Sequence, residues 1–250
     1  MVTLKSAREL DVMASAGAIA HRTLGLVREM VRPGVTTEEL DRAAEAYIRQ
    51  QGAKPSFKGL YGFPKSLCIS INEEIVHGIP SKKRVLHEGS IVSVDVGVFL
   101  EGLHADTATT IPVGEINPAA RQLLDVTEQS LQAGIEATRL GNHVGDIGHA
   151  VQSVAEGAGF GVVRELVGHG VGQRMHEEPQ VPNFGSPKRG PRLQEGMTLA
   201  IEPMITAGAI QTRTLADRWT IVTADGSLAA HFEHTVAVTR DGPRILTTNS

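Results

Sequence analysis

The feature that most constrains the fold of this 250-residue chain is an internal repeat with an offset of 107 residues, from Gly34 to Gly141. The segment 86–89, Leu-His-Glu-Gly, recurs at the same offset as 193–196, Leu-Gln-Glu-Gly. Chance similarity between two units is the alternative, but the offset holds over several segments. Self-similarity at a long period indicates repeated architecture. We therefore expect two similar halves that pack together as one domain.

Each repeat has the pattern of two helices followed by strands. Ser6 and Glu9 have the spacing of a capping box at a helix start, and Thr36 with Glu39 has the same spacing. In the second half, Asn117-Pro118 suits an N-cap and a first helical turn. The order predicts an α/β (α+β) protein with a shared sheet and helices on its outer face. The expected boundaries are 1–250 for one catalytic domain and about 1–115 and 116–250 for its halves.

Four acidic residues occupy equivalent places in the two halves. Asp95 and Glu202 each interrupt a largely apolar strand segment and are related by the repeat, while Asp106 and Glu233 follow them. An isolated buried charge costs several kcal/mol unless it is paired, protonated or bound to a cation. The alternative is four separate surface carboxylates at sheet edges. Their equivalent placement, without a basic residue in these strands, favours a divalent-metal site.

The first acidic pair is predicted to lie on one face of a hairpin. A loop at Leu100-Glu101 would pair Asp95 directly with Asp106, whereas a loop at Glu101-Gly102 would pair Asp106 with Gly97. Side chains alternate between the two faces of a strand, so both registers leave the aspartates on the same face.

Histidines beside glycines are the other candidate site residues. His169 and His176 lie in the glycine-rich segment 168–179, and His77 precedes Gly78. Glycine lets backbone and ligand approach closely. A single histidine is more often a hydrogen-bonded structural residue, so none of the three is decisive alone.

Composition restricts the class of protein. The net charge of −4 argues against direct nucleic-acid recognition, which usually needs a basic face. Cys68 is the only cysteine and cannot form an internal disulfide, which suits a reducing compartment. The sequence contains no signal-peptide segment and no apolar run long enough to span a membrane. We expect a cytoplasmic protein.

Together, these patterns resemble the type I methionine aminopeptidases of the short bacterial form. The similarity covers essentially the whole chain and is carried by five segments: 72–80, 95–106, 168–179, 196–203 and 232–235. The resemblance implies the pita-bread fold, with a central antiparallel sheet and two pseudo-symmetric halves around a metal pair. It implies a hydrolase that removes N-terminal methionine through a metal-activated hydroxide, with a small second residue preferred.

The resemblance also implies site residues and cofactors. The metal ligands would be Asp95, Asp106, His169, Glu202 and Glu233. The catalytic residues would be His77, His176 and Glu202, and the methionine pocket would contain Phe63, Cys68, Met175 and Trp219. Two divalent ions are expected, with Co, Mn or Fe favoured by the hard ligand set and Zn or Ni as alternatives. The expected partners are N-terminal methionine of peptides and nascent chains and, transiently, the ribosome; the chain is expected to be a monomer that does not bind membranes.

The chain departs from the family pattern at four positions, Phe57, Leu60, Met175 and His231. Two other classes remain as alternatives: a proline-specific aminopeptidase or prolidase, which usually has an additional N-terminal domain, and a non-catalytic binding protein of the same fold. A serine hydrolase does not fit, because the sequence contains no Gly-x-Ser-x-Gly motif.

Overall fold

A computed structural model describes residues 2–249 of the chain, and these residues form four α-helices and fifteen β-strands. The helices are α1 (Ala7–Met30), α2 (Thr37–Gln50), α3 (Pro118–Ala137) and α4 (Val144–Gly157). The strands are β1 (Lys54–Pro55), β2 (Leu67–Ile71), β3 (Glu74–Val76), β4 (Ile91–Leu100), β5 (Leu103–Pro112), β6 (Gly161–Val162), β7 (Gly168–Gly170), β8 (Glu177–Val181), β9 (Thr198–Ile201), β10 (Met204–Thr206), β11 (Thr212–Thr214), β12 (Ile221–Thr223), β13 (Ala229–His231), β14 (Glu233–Thr239) and β15 (Gly242–Ile245). None of the four helices in this part of the chain is long and apolar enough to cross a membrane.

The helices begin where the sequence predicts. The side chains of Ser6 and Thr36 each accept a hydrogen bond from the backbone amide of the third helical residue, Glu9 or Glu39. The side chain of that glutamate in turn accepts from the backbone amide of the cap residue. Asn117 caps α3 in the same way, with its side chain accepting from a backbone amide. Side-chain caps satisfy amides that would otherwise lack a partner at a helix start.

A nine-stranded sheet forms the centre of the molecule. Its main path runs β1-β4-β5-β14-β9-β7-β8, with β2 beside β4 and β15 beside β14, and all of these pairs are antiparallel. Strands β5 and β14 come from different halves of the sequence and are adjacent. Helix α1 packs on β4 and β5, and α3 packs on α4. The centre of the sheet is therefore built from both halves.

The structure repeats with the offset found in the sequence. Helix α2 spans 37–50 and α4 spans 144–157. An isolated backbone bridge joins Thr36 to Val85 in the first half, and its equivalent joins His143 to Arg192 in the second. One large core draws its members from residues 16–113, and the other draws nearly all of its members from residues after 119. We propose that residues 1–115 and 116–250 are related halves of one domain.

The β4–β5 hairpin settles the register that the sequence left open. The loop is Glu101-Gly102, and both residues have positive φ, 48° and 91°. A two-residue hairpin loop needs this backbone conformation, and glycine adopts it without strain. Asp106 consequently pairs with Gly97, two residues from Asp95. Both aspartates lie on the same face of the sheet.

Glu45 on α2 holds the loop that leads into β2. Its carboxylate accepts hydrogen bonds from Lys58, Arg49 and Ser66. Burial alone would raise the pKa of Glu45, but these hydrogen bonds outweigh it and lower the pKa to about 2. The charged form is therefore stabilised by folding.

Replacing Glu45 by Gln is expected to lower the free energy of unfolding at pH 7 by about 1 kcal/mol. A carboxylate whose pKa is lowered by folding contributes fully above its unfolded pKa, near 4.5, and loses that contribution as the pH falls toward 2. The difference between wild type and variant should thus narrow below about pH 4.5. Urea unfolding at pH 7, 5 and 4 measures it. A constant difference over this range would contradict the assignment.

Candidate metal centre and active site

Four carboxylates converge where the two halves meet in the central sheet. Asp95 lies on β4, Asp106 on β5 and Glu233 at the start of β14, and Glu202 directly follows β9. Asp106 is 4% exposed and Glu233 is 1% exposed. Glu233 pairs with Ala108, two residues from Asp106, so that the two buried carboxylates approach one another across the junction.

Threonine hydroxyls hold β5 and β14 together beside the carboxylates. The backbone amide of Asp106 donates to Oγ1 of Thr235 at 2.9 Å, and this hydroxyl donates to the carbonyl of Asp106 at 2.8 Å. Oγ1 of Thr107 donates to the carbonyl of Glu233 at 2.8 Å. Because these bonds join the backbones of both acidic residues, they define the separation of the two carboxylates.

His169 on β7 faces the same cluster. Its Nε2 atom is 3.6 Å from Oε1 of Glu202 and 3.9 Å from Oδ2 of Asp106. Its Nδ1 atom lies 2.8 Å from the carbonyl oxygen of Gly170 and must donate, because a carbonyl can only accept. The Nε2 lone pair is therefore free, as in a histidine that binds a metal. One donor atom from each of Asp106, His169 and Glu233 lies within 4.8 Å of the others.

The electrostatics of the cluster call for a cation. Burial raises the pKa of Asp95 to about 7, and burial also raises the pKa of Glu202 to about 7. Burial, followed by repulsion from neighbouring carboxylates, raises the pKa of Asp106 and Glu233 well above the usual range. Burial lowers the pKa of His169, which favours the neutral imidazole. Protons or metal ions must offset this concentration of negative charge.

Unpartnered oxygens at the centre fit a divalent metal. Within residues 2–249, Oδ1 of Asp95, Oδ1 of Asp106 and Oε1 of Glu233 are buried and lack a hydrogen-bond partner. Such atoms are uncommon in folded proteins, because each loses its hydration without compensation. Carboxylate oxygens with one imidazole nitrogen suit a hard or borderline divalent ion. The donor set therefore forms a candidate metal-binding centre.

His231, where the sequence departs from the family pattern, borders this centre. Its Nε2 atom lies 3.6 Å from Oε2 of Glu202, and its side chain is 2% exposed. Among the described residues, this nitrogen also has no hydrogen-bond partner. In the sequence, His231 is identified only as a departure from the family pattern; its position two residues before Glu233 suggests a shared strand face, but the structure places His231 on β13 and Glu233 on β14. The two Glu202 oxygens thus face different histidines, His169 and His231.

An apolar pocket opens into the same cavity. The cavity has a volume of about 700 Å³ and is lined by all five predicted ligands together with Phe63, Cys68 and Trp219. Trp219 meets Phe63 edge to face, with ring centroids 5.1 Å apart. Met175 packs in the same apolar cluster without lining the cavity. Three of the four predicted pocket residues therefore face the space beside the carboxylates.

The two predicted catalytic histidines also line the cavity. Burial lowers the pKa of His77 to about 4, so its imidazole is neutral near pH 7. His77 has a positive φ of 61°, a strained conformation that proteins retain mainly at functional sites. His176 meets His169 edge to face at 4.5 Å and stacks on Tyr61 at 5.8 Å.

Several lining residues were not predicted as site residues. Tyr61 is 75% exposed at the cavity, and Leu166, Val167 and Met204 contribute apolar surface. The local sequence offers a signal only for Met204, which lies two residues after Glu202. The others reach the cavity through loop conformations that apolar spacing does not reveal.

The fold and the carboxylate centre define a metal-dependent peptidase. The family model described as "Metallopeptidase family M24" matches residues 11–240, and the chain belongs to this family. The chain is 53% identical to a methionine aminopeptidase of Clostridium perfringens over 247 residues, which cover 99% of each protein.

Solved structures agree with the fold. A methionine aminopeptidase from Thermotoga maritima superposes with a TM-score of 0.98 at 43% identity, covering 99% of this chain and 100% of that one. A prolidase from Pyrococcus furiosus, 22% identical, has a TM-score of 0.81 and is covered over 66% of its length, which shows a shared fold alone. The predicted pita-bread fold is confirmed.

Proposed function

We propose that this metallopeptidase removes N-terminal methionine by hydrolysing the first peptide bond of peptides and nascent proteins. The observation that carries the proposal is the apolar pocket of Phe63, Cys68 and Trp219, which opens into the cavity that contains the acidic centre. An unbranched thioether suits such a pocket and makes favourable contacts with aromatic rings. The relative from Clostridium perfringens is named for methionine, which supports the same substrate here.

Five residues are proposed to hold two divalent ions. Asp106 and Glu233 would be shared between the ions, Asp95 would serve one, and His169 with Glu202 would serve the other. The unpartnered oxygens of Asp95, Asp106 and Glu233 and the free Nε2 of His169 support metal binding at this centre, and the family resemblance implies the division between the two ions. When bound, two such ions lower the pKa of a water molecule and polarise a carbonyl oxygen. The ligand set favours Mn, Fe or Co, with Zn or Ni as alternatives.

The remaining steps are assigned to side chains of this cavity. Glu202 would take the proton from the attacking water and deliver it to the leaving nitrogen. His176 would donate its N–H to the oxygen that becomes negatively charged as the carbonyl is attacked. His77, held neutral by burial, would donate to the peptide near the scissile nitrogen. The pocket would orient the methionine side chain so that Glu202, His176 and His77 all lie next to the first peptide bond.

The first experiment measures release of free methionine from a Met-Ala-Ser peptide with added Mn or Co. We expect release that a chelator abolishes and added metal restores, because the carboxylates cannot perform the reaction alone. Met-Phe-Ser tests the preference for a small second residue and should react more slowly.

Two control peptides separate the alternatives. Leu-Ala-Ser should be a poor substrate if the pocket selects methionine, and Ala-Pro should not be cleaved. Cleavage of Ala-Pro in preference to Met-Ala-Ser would instead assign the chain to the proline-specific peptidases. Folded protein that binds no metal and cleaves neither peptide would support the non-catalytic alternative. A monomeric state, a cytoplasmic location and a transient encounter with ribosomes stay predictions.

A further inference from the structure

A buried ion pair joins the N-terminal segment to the loop that carries His176. Nζ of Lys5 lies 2.7 Å from Oε2 of Glu177, and the two side chains are 2% and 4% exposed. The other lysine and arginine ion pairs within residues 2–249 leave at least 16% of each side chain exposed. Removing two charges from water costs free energy, and their mutual attraction offsets this cost only when the geometry is good. A pair this buried therefore calls for an explanation beyond stability.

The Lys5–Glu177 pair contacts the turn of residues 172–177, which carries His176. Oε1 of Glu177 accepts from the backbone amide of Arg174 at 3.0 Å, while Oε2 accepts from Lys5. The lysine side chain packs directly on Gly172, where an added Cβ would lie 2.4 Å from Cε of Lys5. One carboxylate and one ammonium thus contact both ends and the middle of this turn.

Lys5 is itself held in place by backbone contacts. Its amide donates to the carbonyl of Gly196 at 2.7 Å, and the amide of Gly196 donates to the carbonyl of Val238 on β14. Ser6, the next residue, caps α1. The ammonium therefore projects from a segment anchored on two sides.

His176 depends on this turn for its orientation. No side chain or backbone group of residues 2–249 makes a hydrogen bond to its imidazole, and the aromatic rings that approach it are those of Tyr61 and His169. Tyr61 is largely exposed and offers a weak support. The position of the ring is consequently set by the backbone of residues 172–177.

We propose that Lys5 and Glu177 are positioning residues that hold the loop 172–177, and with it His176, in the geometry needed for turnover. The inference rests on the proposed aminopeptidase function. Replacing a buried ion pair by apolar residues of similar size often leaves stability unchanged, whereas removing one partner leaves an uncompensated charge. Stability and positioning can therefore be separated by comparing single and double variants.

The experiment compares Lys5→Met, the double variant Lys5→Met/Glu177→Leu and Glu177→Gln. Lys5→Met should lower Tm by roughly 10 °C, and the double variant should return to within about 3 °C of wild type. In both Lys5→Met and the double variant, the turn should be misplaced. The kcat on Met-Ala-Ser should therefore fall at least about tenfold, while KM changes less than about threefold. Glu177→Gln keeps one acceptor oxygen, which can serve only one of the two donors, Arg174 or Lys5, and should therefore retain an intermediate kcat. Arg240→Met breaks an exposed ion pair and is the matched control, with no change expected.

A second readout does not depend on turnover. Imidazole ¹H–¹⁵N NMR signals of His176, assigned by their loss in His176→Asn, should shift or broaden in the double variant and stay unchanged in Arg240→Met. A double variant with wild-type kcat, or with unchanged His176 signals, would overturn the proposal. Absence of methionine release by the wild type would instead defeat the proposed function, and the NMR spectra would still decide the positioning role.

Discussion

Replacing Asp106 by Asn is expected to lower turnover of Met-Ala-Ser at least about a thousandfold and to weaken divalent-metal binding at least about a hundredfold. Asp106 is proposed to be shared between both ions, and Asn retains its size but not its charge. Peptide assays and calorimetric titration with Mn measure the two effects. Two bound ions with normal turnover in the variant would contradict the ligand assignment.

Asp106→Asn lowers turnover and metal binding, but it should not lower the thermal stability of the metal-free protein. Burial and the neighbouring Asp95 raise the pKa of Asp106, so this carboxylate is unfavourable in the metal-free protein. With chelator, Asp106→Asn should therefore unfold at a temperature equal to or above that of wild type. With Mn, wild type should gain stability through binding and the variant should not. Asp11→Asn, on an exposed ion pair with Arg244, is the control and should change neither property.

Replacing Gly17 by Ala is expected to lower the free energy of unfolding by about 3 kcal/mol or more, although Ala favours helices. Gly17 lies in α1 against the C-terminal segment, and an added Cβ would lie 2.0 Å from the carbonyl oxygen of Leu246. Backbone atoms cannot move aside as a flexible side chain would. The amide of Leu246 donates to the carbonyl of Thr235, so the clash would also strain β14 beside the acidic centre.

Gly25 provides the matched control on the same helix. An added Cβ there meets nothing within 4 Å, so Gly25→Ala should raise the free energy of unfolding by about 0.5–1 kcal/mol. Chemical denaturation of both variants tests the pair. Equal effects at the two positions would show that helix propensity, and not the approach of the C-terminal segment, controls stability.

The repeat and the local signals could be predicted from the sequence because they depend on residues close together in the chain. Capping at Ser6, Thr36 and Asn117 needs only a side chain and the next turn of backbone. The common face of Asp95 and Asp106 follows from strand alternation in either hairpin register. The register itself depended on which residues accept positive φ, and the structure selects Glu101-Gly102.

Several features of the candidate site needed the three-dimensional structure. His77, His169 and His176 were candidates because of their neighbouring glycines, but only the family resemblance gave them roles, because their spacing along the chain matches no metal pattern. The placement of Met175 within the apolar cluster but away from the cavity, and the approach of His231 to Glu202, depend on packing between distant segments. Contacts between distant segments produce no periodic pattern of residues from which the sequence could predict them.

By itself the sequence determined the helix starts and the common face of Asp95 and Asp106, and it is the origin of the proposal of two similar halves. These are consequences of local hydrogen bonding and of side-chain periodicity over a few residues. Only the tertiary structure decided that the two acidic pairs meet, through the β5–β14 junction at Thr235, and that Lys5 reaches Glu177. Such long-range pairings depend on how the cores of both halves pack. Closing long loops lowers the entropy of the chain, and only the contacts of the complete fold offset that loss.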